Sequence, residues 1–302
     1  MGAVTSQPPV LSRRAFLGLT AGAALLTACG GSGRVRGGSG GSRGGGAALS
    51  AFRMEIEPYV SLQPQRFALV LVTRDGDFAG GPRAGIAFRP PGGATTPVLP
   101  LRFHHEGLHP RARGVYVIET SFPVAGNWTA TVKIDGHPDA ELAIPVTATP
   151  QTPVPGTAGR AVRTPTVADP MGTDPLCTRT ERGRPAPCPL HDRSLDELVG
   201  SGTPVAVLFG TPARCQSRYC GPVLDQLLAV RDRYASRLAM VHVEIYRDLT
   251  SYDLVPATRT WLGETGEPFL FVMDGAGMVQ ARMSGAFATD EVTAAFDRVL
   301  GD

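Results

Sequence analysis

Residues 203–234 read TPVAVLFGTPARCQSRYCGPVLDQLLAVRDRY and confine this chain more tightly than any other stretch. The apolar run 205–209, bounded by Pro204 and Gly210, has the length and Val/Leu/Phe content of a buried strand. A turn-rich loop follows. Beyond it Val223, Leu224, Leu227, Leu228, Arg231 and Tyr234 recur at three and four residues, as one face of an amphipathic helix does. Cys215 and Cys220 stand between strand and helix.

Pro222 suits a first helical turn, where its missing N–H is not needed, so the helix is expected to start near Gly221 with Cys220 at its N-cap. A thiol there faces unpaired backbone N–H groups and the positive end of the helix dipole, which favour thiolate. Cys220 is therefore the expected low-pKa sulfur. Within one ideal helix, residues at i and i+5 lie roughly 7.5 Å apart along the axis and about 140° apart around it. That is too far for a disulfide, whose Cα atoms lie within about 7 Å. Cys215 is accordingly expected in the loop, folded back toward Cys220. A redox-active dithiol, a thiolate metal site and a structural disulfide all remain open at this point.

Residues 1–29 are read as an address and not as fold. Ser12-Arg13-Arg14-Ala15-Phe16-Leu17 resembles a twin-arginine export signal, and the apolar stretch 15–28 is too short for a permanent membrane helix. Leu26-Thr27-Ala28-Cys29 resembles a bacterial lipobox, which implies lipidation of Cys29 and a lipid anchor in the membrane. Lipidation also resolves an odd cysteine count. Five cysteines less Cys29 leave Cys177 with Cys188 and Cys215 with Cys220, two local pairs expected outside the cytoplasm. Residues 30–50 begin GGSGRVRGGSGGSRGGG and are expected to act as a flexible tether.

A net charge of +2 over 302 residues, with Lys133 the only lysine, makes no case for nucleic-acid binding. The Pro/Thr-rich stretch 148–175 has no hydrophobic period and is read as a linker between two domains, 51–147 and 176–302. In the first, strand-like runs at 67–72, 114–118, 128–134 and 141–146 end in Gly, Asp and Pro turns, the pattern of a β-sandwich. It resembles an immunoglobulin-like extracytoplasmic module. His104, His105, Glu106 and His109 form a histidine cluster within it. Adjacent strand residues point to opposite faces, so the cluster is read as a polar turn before Gly107.

The second domain alternates strands and helices. Ser194-Leu195-Asp196-Glu197 is a capping-box sequence opening a short helix. Then come the strand 205–209, the helix 222–234, a strand at 238–246, a helix near 255–262, a hairpin 269–273 and 278–284 turning at Asp274-Gly275-Ala276-Gly277, and a last helix from about Asp290. That order resembles the thioredoxin family, most closely exported actinobacterial-type lipoproteins with a C-x4-C thioredoxin-like domain. Cys220-Gly221-Pro222 is similar to the thioredoxin active-site turn, and Glu267-Pro268-Phe269 falls where that family has its cis-proline. Val223 stands where thioredoxin has its second cysteine, so Cys215 is the local resolving partner that remains.

The resemblance implies a multidomain chain, an all-β sandwich followed by an α/β thioredoxin-like fold. It implies thiol-disulfide exchange on exported protein thiols or disulfides, carried by Cys215, Cys220 and Pro268, with no cofactor. Two other readings stand beside it. One is a redox-silent binding or assembly module whose cysteines are all structural. The other is a copper(I) chaperone similar to Sco-type proteins, which use a thioredoxin fold, two cysteines and a histidine. His242 and Glu244 share a strand face, but His242 is read as a packed strand histidine and no metal site is assigned. Cys177 and Cys188 are expected to form a structural disulfide clipping the entry to the domain.

Overall fold

The computed structural model describes residues 46–108, 114–215 and 219–302. Cys29 and His109 lie outside the described residues.

The first half builds two four-stranded antiparallel sheets. β1 (Ser50–Arg53), β2 (Ser61–Val72), β5 (Arg102–His104) and β6 (Val115–Phe122) form one, in the order β1-β2-β6-β5. β3 (Ala84–Arg89), β4 (Leu99–Pro100), β7 (Gly126–Ile134) and β8 (Ala140–Val146) form the other, in the order β4-β3-β7-β8. Between the sheets lie Phe67, Leu69, Ile86, Phe88, Phe122, Trp128, Val132 and Ile144. β8 alternates buried and exposed without a break, the period-two signature of a strand with one wet face.

β2 departs from that rule. Residues 67–71 are all buried because both faces of the strand are covered. Phe67, Leu69 and Leu71 enter the sandwich, while Ala68 and Val70, with Val115 and Val117, join a second core shared with the C-terminal half. The two halves therefore pack on each other within one compact unit.

A short hairpin, β9 (Thr180–Glu181) and β10 (Arg184–Pro185), and a one-turn helix, α1 (Leu195–Leu198), lead into the C-terminal half. Ser194 does not close the expected capping box. Its Oγ accepts from the Thr164 N–H instead, tying the Pro/Thr-rich segment to the start of α1. That segment is laid along the fold elsewhere too: Val279 N–H donates to Thr157 O, and the Trp261 indole N–H to Arg160 O.

β11 (Val205–Phe209), α2 (Cys220–Tyr234), β12 (Ala239–Val243), α3 (Pro256–Leu262), β13 (Phe269–Met273), β14 (Val279–Ser284) and α4 (Thr289–Leu300) follow. The sheet runs β12-β11-β13-β14, with β11 parallel to β12 and antiparallel to β13. This is the strand order and direction of the thioredoxin fold. Alternate residues of β11 serve the two faces. Val205, Val207 and Phe209 pack with Trp261 of α3, while Ala206 and Leu208 pack with α2 and α4.

Buried ion pairs fix the halves against each other. Arg66 of β2 makes two bonds to Glu291 of α4, at 2.8 and 3.2 Å, and a third to Ala286 O. Arg282 of β14 reaches Glu55 and Glu57 and lies over the Tyr59 and Phe269 rings. In the histidine cluster His104 ends β5 and Glu106-Gly107 form a turn; Glu106 O accepts from Thr289 N–H, and His104 Nδ1 meets Asp290 at 2.6 Å. Among the described residues no helix is long and apolar enough to cross a membrane.

Candidate functional site

β11 delivers the chain to Gly210, after which Thr211 and Pro212 turn it into the cysteine loop. α2 begins at Cys220 itself, one residue earlier than Pro222 suggests, with Tyr219 as its N-cap. Phe78, from the sandwich, packs edge-on against Tyr219 at 5.5 Å, so the first half buttresses the helix start. Cys215 and Cys220 are joined as a disulfide with Cα atoms 5.8 Å apart, and the Cys220 N–H points at Cys215 Sγ from 3.1 Å. Arg214 clamps the loop from outside. Its guanidinium donates to the carbonyls of Leu249 and Ser251 and lies 4.6 Å from the Tyr252 ring centroid.

The two cysteines differ in burial. Cys220 is fully buried whereas Cys215 is partly exposed. The helix dipole favours Cys220 as thiolate, yet a nucleophile must also be reached, and solvent meets Cys215 first. Helix dipole and access thus favour different sulfurs of the pair.

Pro268 stands beside the bridge after a cis Glu267–Pro268 peptide. Gly210 makes the approach close: a Cβ there would lie 3.4 Å from Pro268 Cβ and 3.5 Å from Cys220 Cβ. Glu267, which sequence reasoning used only to locate the proline, is the residue it missed. One Glu267 oxygen accepts the Thr211 N–H and sits 3.5 Å from Cys220 Sγ. Burial pushes its carboxyl up to about 7, against the lowering effect of the Thr211 hydrogen bond. A proton-exchanging group titrating near neutrality thus touches the buried sulfur. The available signal was a carboxylate directly before the proline that faces a cysteine loop.

The second cysteine pair differs from expectation. Cys177 and Cys188 are free thiols and not a bridge. Their sulfurs face His242 Nδ1 at 3.6 and 3.8 Å, and His191 Nε2 lies 3.2 Å from the same nitrogen. Two imidazoles reach the place where a structural clip would need only two sulfurs. The Cys177–Cys188 hydrogen bond raises the Cys177 thiol and lowers that of Cys188. All four ligand atoms lie within 4.8 Å of one another.

No protein-family model matches the chain, and no curated protein matches it. Solved structures do. A DsbE-type thiol:disulfide interchange protein from Chlorobium tepidum matches 48% of this chain and 99% of its own, at 15% identity and a TM-score of 0.32. A thioredoxin-family thiol:disulfide interchange protein from Chlorobium tepidum TLS matches 51% and 99%, at 20% identity and a TM-score of 0.30. The Lin-41 filamin domain matches 34% and 96%, at 14% identity and a TM-score of 0.22. The thioredoxin-like order of β11 to α4 stands on its strand pairing, independently of these likenesses.

Proposed function

We propose that this chain is an exported thiol-disulfide oxidoreductase, held to the outer face of the cell membrane by lipid on Cys29. In this reading an immunoglobulin-like sandwich supports a thioredoxin-like domain that acts on exported protein thiols through Cys215 and Cys220. The observation that carries it is the asymmetry of the pair, an accessible Cys215 bonded to a buried Cys220 that touches Glu267.

A substrate thiolate attacks Cys215 Sγ, the Cys215–Cys220 bond breaks, and its electron pair goes to Cys220 Sγ. The protonated Glu267 carboxyl gives its proton to that leaving sulfur, which a buried site would otherwise hold as an isolated anion. A second substrate thiolate then attacks the substrate sulfur of the mixed disulfide and releases Cys215. The substrate leaves oxidised and the protein reduced; run in reverse, the same steps reduce a substrate disulfide. Pro268, packed beside Gly210 and Cys220, shapes the ground on which the substrate lies.

Trapping tests the assignment of roles. Cys220→Ser should accumulate mixed disulfides on Cys215, and Cys215→Ser should accumulate few, because the remaining thiol is buried. Equal trapping by both variants contradicts the order of attack, and none by either contradicts the reading. Mass spectrometry of the mature N-terminus tests the anchor, with a diacylglyceryl-modified Cys29 expected.

A further inference from the structure

From the convergence of four side chains behind the disulfide we infer that Cys177, Cys188, His191 and His242 form a tetrahedral zinc site.

The inter-ligand distances fit the ion. With Zn–S of about 2.3 Å and Zn–N of about 2.0–2.1 Å, a regular tetrahedron has N–S edges of about 3.5–3.6 Å and an N–N edge of about 3.3 Å. The edges from His242 Nδ1 are 3.6 and 3.8 Å to the sulfurs and 3.2 Å to His191 Nε2. The three edges from His242 Nδ1 thus match those around a bound ion, and all four ligand atoms lie within 4.8 Å of one another.

The protonation pattern fits as well. His242 Nε2 lies 2.8 Å from Gly210 O, and a carbonyl oxygen only accepts, so that nitrogen carries the proton. Nδ1 is left with its lone pair aimed at the cluster. A backbone carbonyl that fixes tautomer and ring orientation is the usual outer support of a ligating histidine. His191 is held through the backbone, since Leu190 O accepts from the His242 N–H and His191 O accepts from the Val167 N–H, while its ring Nδ1 is buried without a hydrogen-bond partner among the described residues. Both histidines are buried, while both cysteines are only partly buried.

Two thiolates and two neutral imidazoles in a tetrahedron favour zinc among the common divalent ions, and four protein ligands make a closed site without a position for substrate. Its role is to hold structure. It secures the 177–191 segment to edge strand β12 and, through His242 and Gly210, fixes the residue wedged between Pro268 and Cys220. Loading releases the thiol protons to solvent. The site stands apart from the redox reading, since it uses neither sulfur of the bridge.

The full chain, lacking its signal, would be purified without air, loaded with zinc, passed over chelating resin and analysed for metal and free thiols. The expected result is one zinc per chain, retained in the Cys215→Ser/Cys220→Ser double variant and lost in Cys177→Ser and Cys188→Ser. Cobalt(II) in place of zinc should give tetrahedral d–d bands with thiolate charge transfer, a readout on the unmutated protein that no folding defect can mimic. Substoichiometric zinc with Cys177 and Cys188 reduced would overturn the inference. So would octahedral cobalt spectra, full zinc in either cysteine variant, or uptake of copper(I) alone.

Discussion

The Glu267 carboxylate shares one oxygen between the Thr211 N–H and Cys220 Sγ, 3.5 Å away. A group raised to about 7 gives up its proton over the physiological range, so bridge opening should depend on its state. Corrected for the reductant's own ionisation, the rate of opening should fall as pH rises through about 7. Glu267→Gln should remove that inflection and slow opening by about 10²-fold at pH 6. Stopped-flow reduction by a small dithiol checks both; an unchanged pH profile in the variant sinks the proton-donor role.

The same carboxyl links stability to pH. Its folded value is raised, so its contribution is fully present below the unfolded value of about 4.5 and is lost as pH rises through about 7. The oxidised protein should lose on the order of 3 kcal/mol from this group between pH 4.5 and pH 8.5. Denaturation curves of Glu267→Gln should lack that component of the decline.

Gly210 has room for a methyl group and no more, since a Cβ would already touch Pro268 and Cys220 at ordinary contact distance. Gly210→Ala should fold with near-normal stability, whereas Gly210→Val should cost about 1–3 kcal/mol by overpacking. Chemical denaturation distinguishes the two. Equal stability of Ala and Val variants would show that the wedge is looser than the geometry requires.

Arg66 and Glu291 are buried together, so removing one leaves the other charged and unpaired. Arg66→Met alone should cost about 3–5 kcal/mol, and adding Glu291→Leu should recover much of the loss. A double-mutant cycle reads the coupling directly. Additive losses would place the hold between the two halves in the apolar core around Ala68 and Val70.

The succession of elements across 205–300 was legible because each carries its own period: Val205–Phe209 as a short apolar run, Leu224 and Leu227 as a helical face, Asp274 to Gly277 as a turn. A loop position for Cys215 followed from helix geometry alone. What stayed hidden depends on contacts between distant residues. The continuous run 67–71 reads simply as a strand; only the packing shows that Ala68 and Val70 serve the second half. His191 and His242 are 51 residues apart, and two cysteines in an exported chain invite pairing before any histidine is considered. Glu267 gave no sign of burial, because its surroundings come from Thr211 and the helix start.

The measurement that bears most directly on the central claim is the reduction potential of Cys215–Cys220, by glutathione titration with site-resolved thiol trapping that separates it from Cys177 and Cys188. A bridge that opens in exchange should titrate above about −250 mV, among labile and catalytic pairs. A value below about −300 mV, or reduction only on unfolding, would make the bridge structural and contradict the oxidoreductase reading.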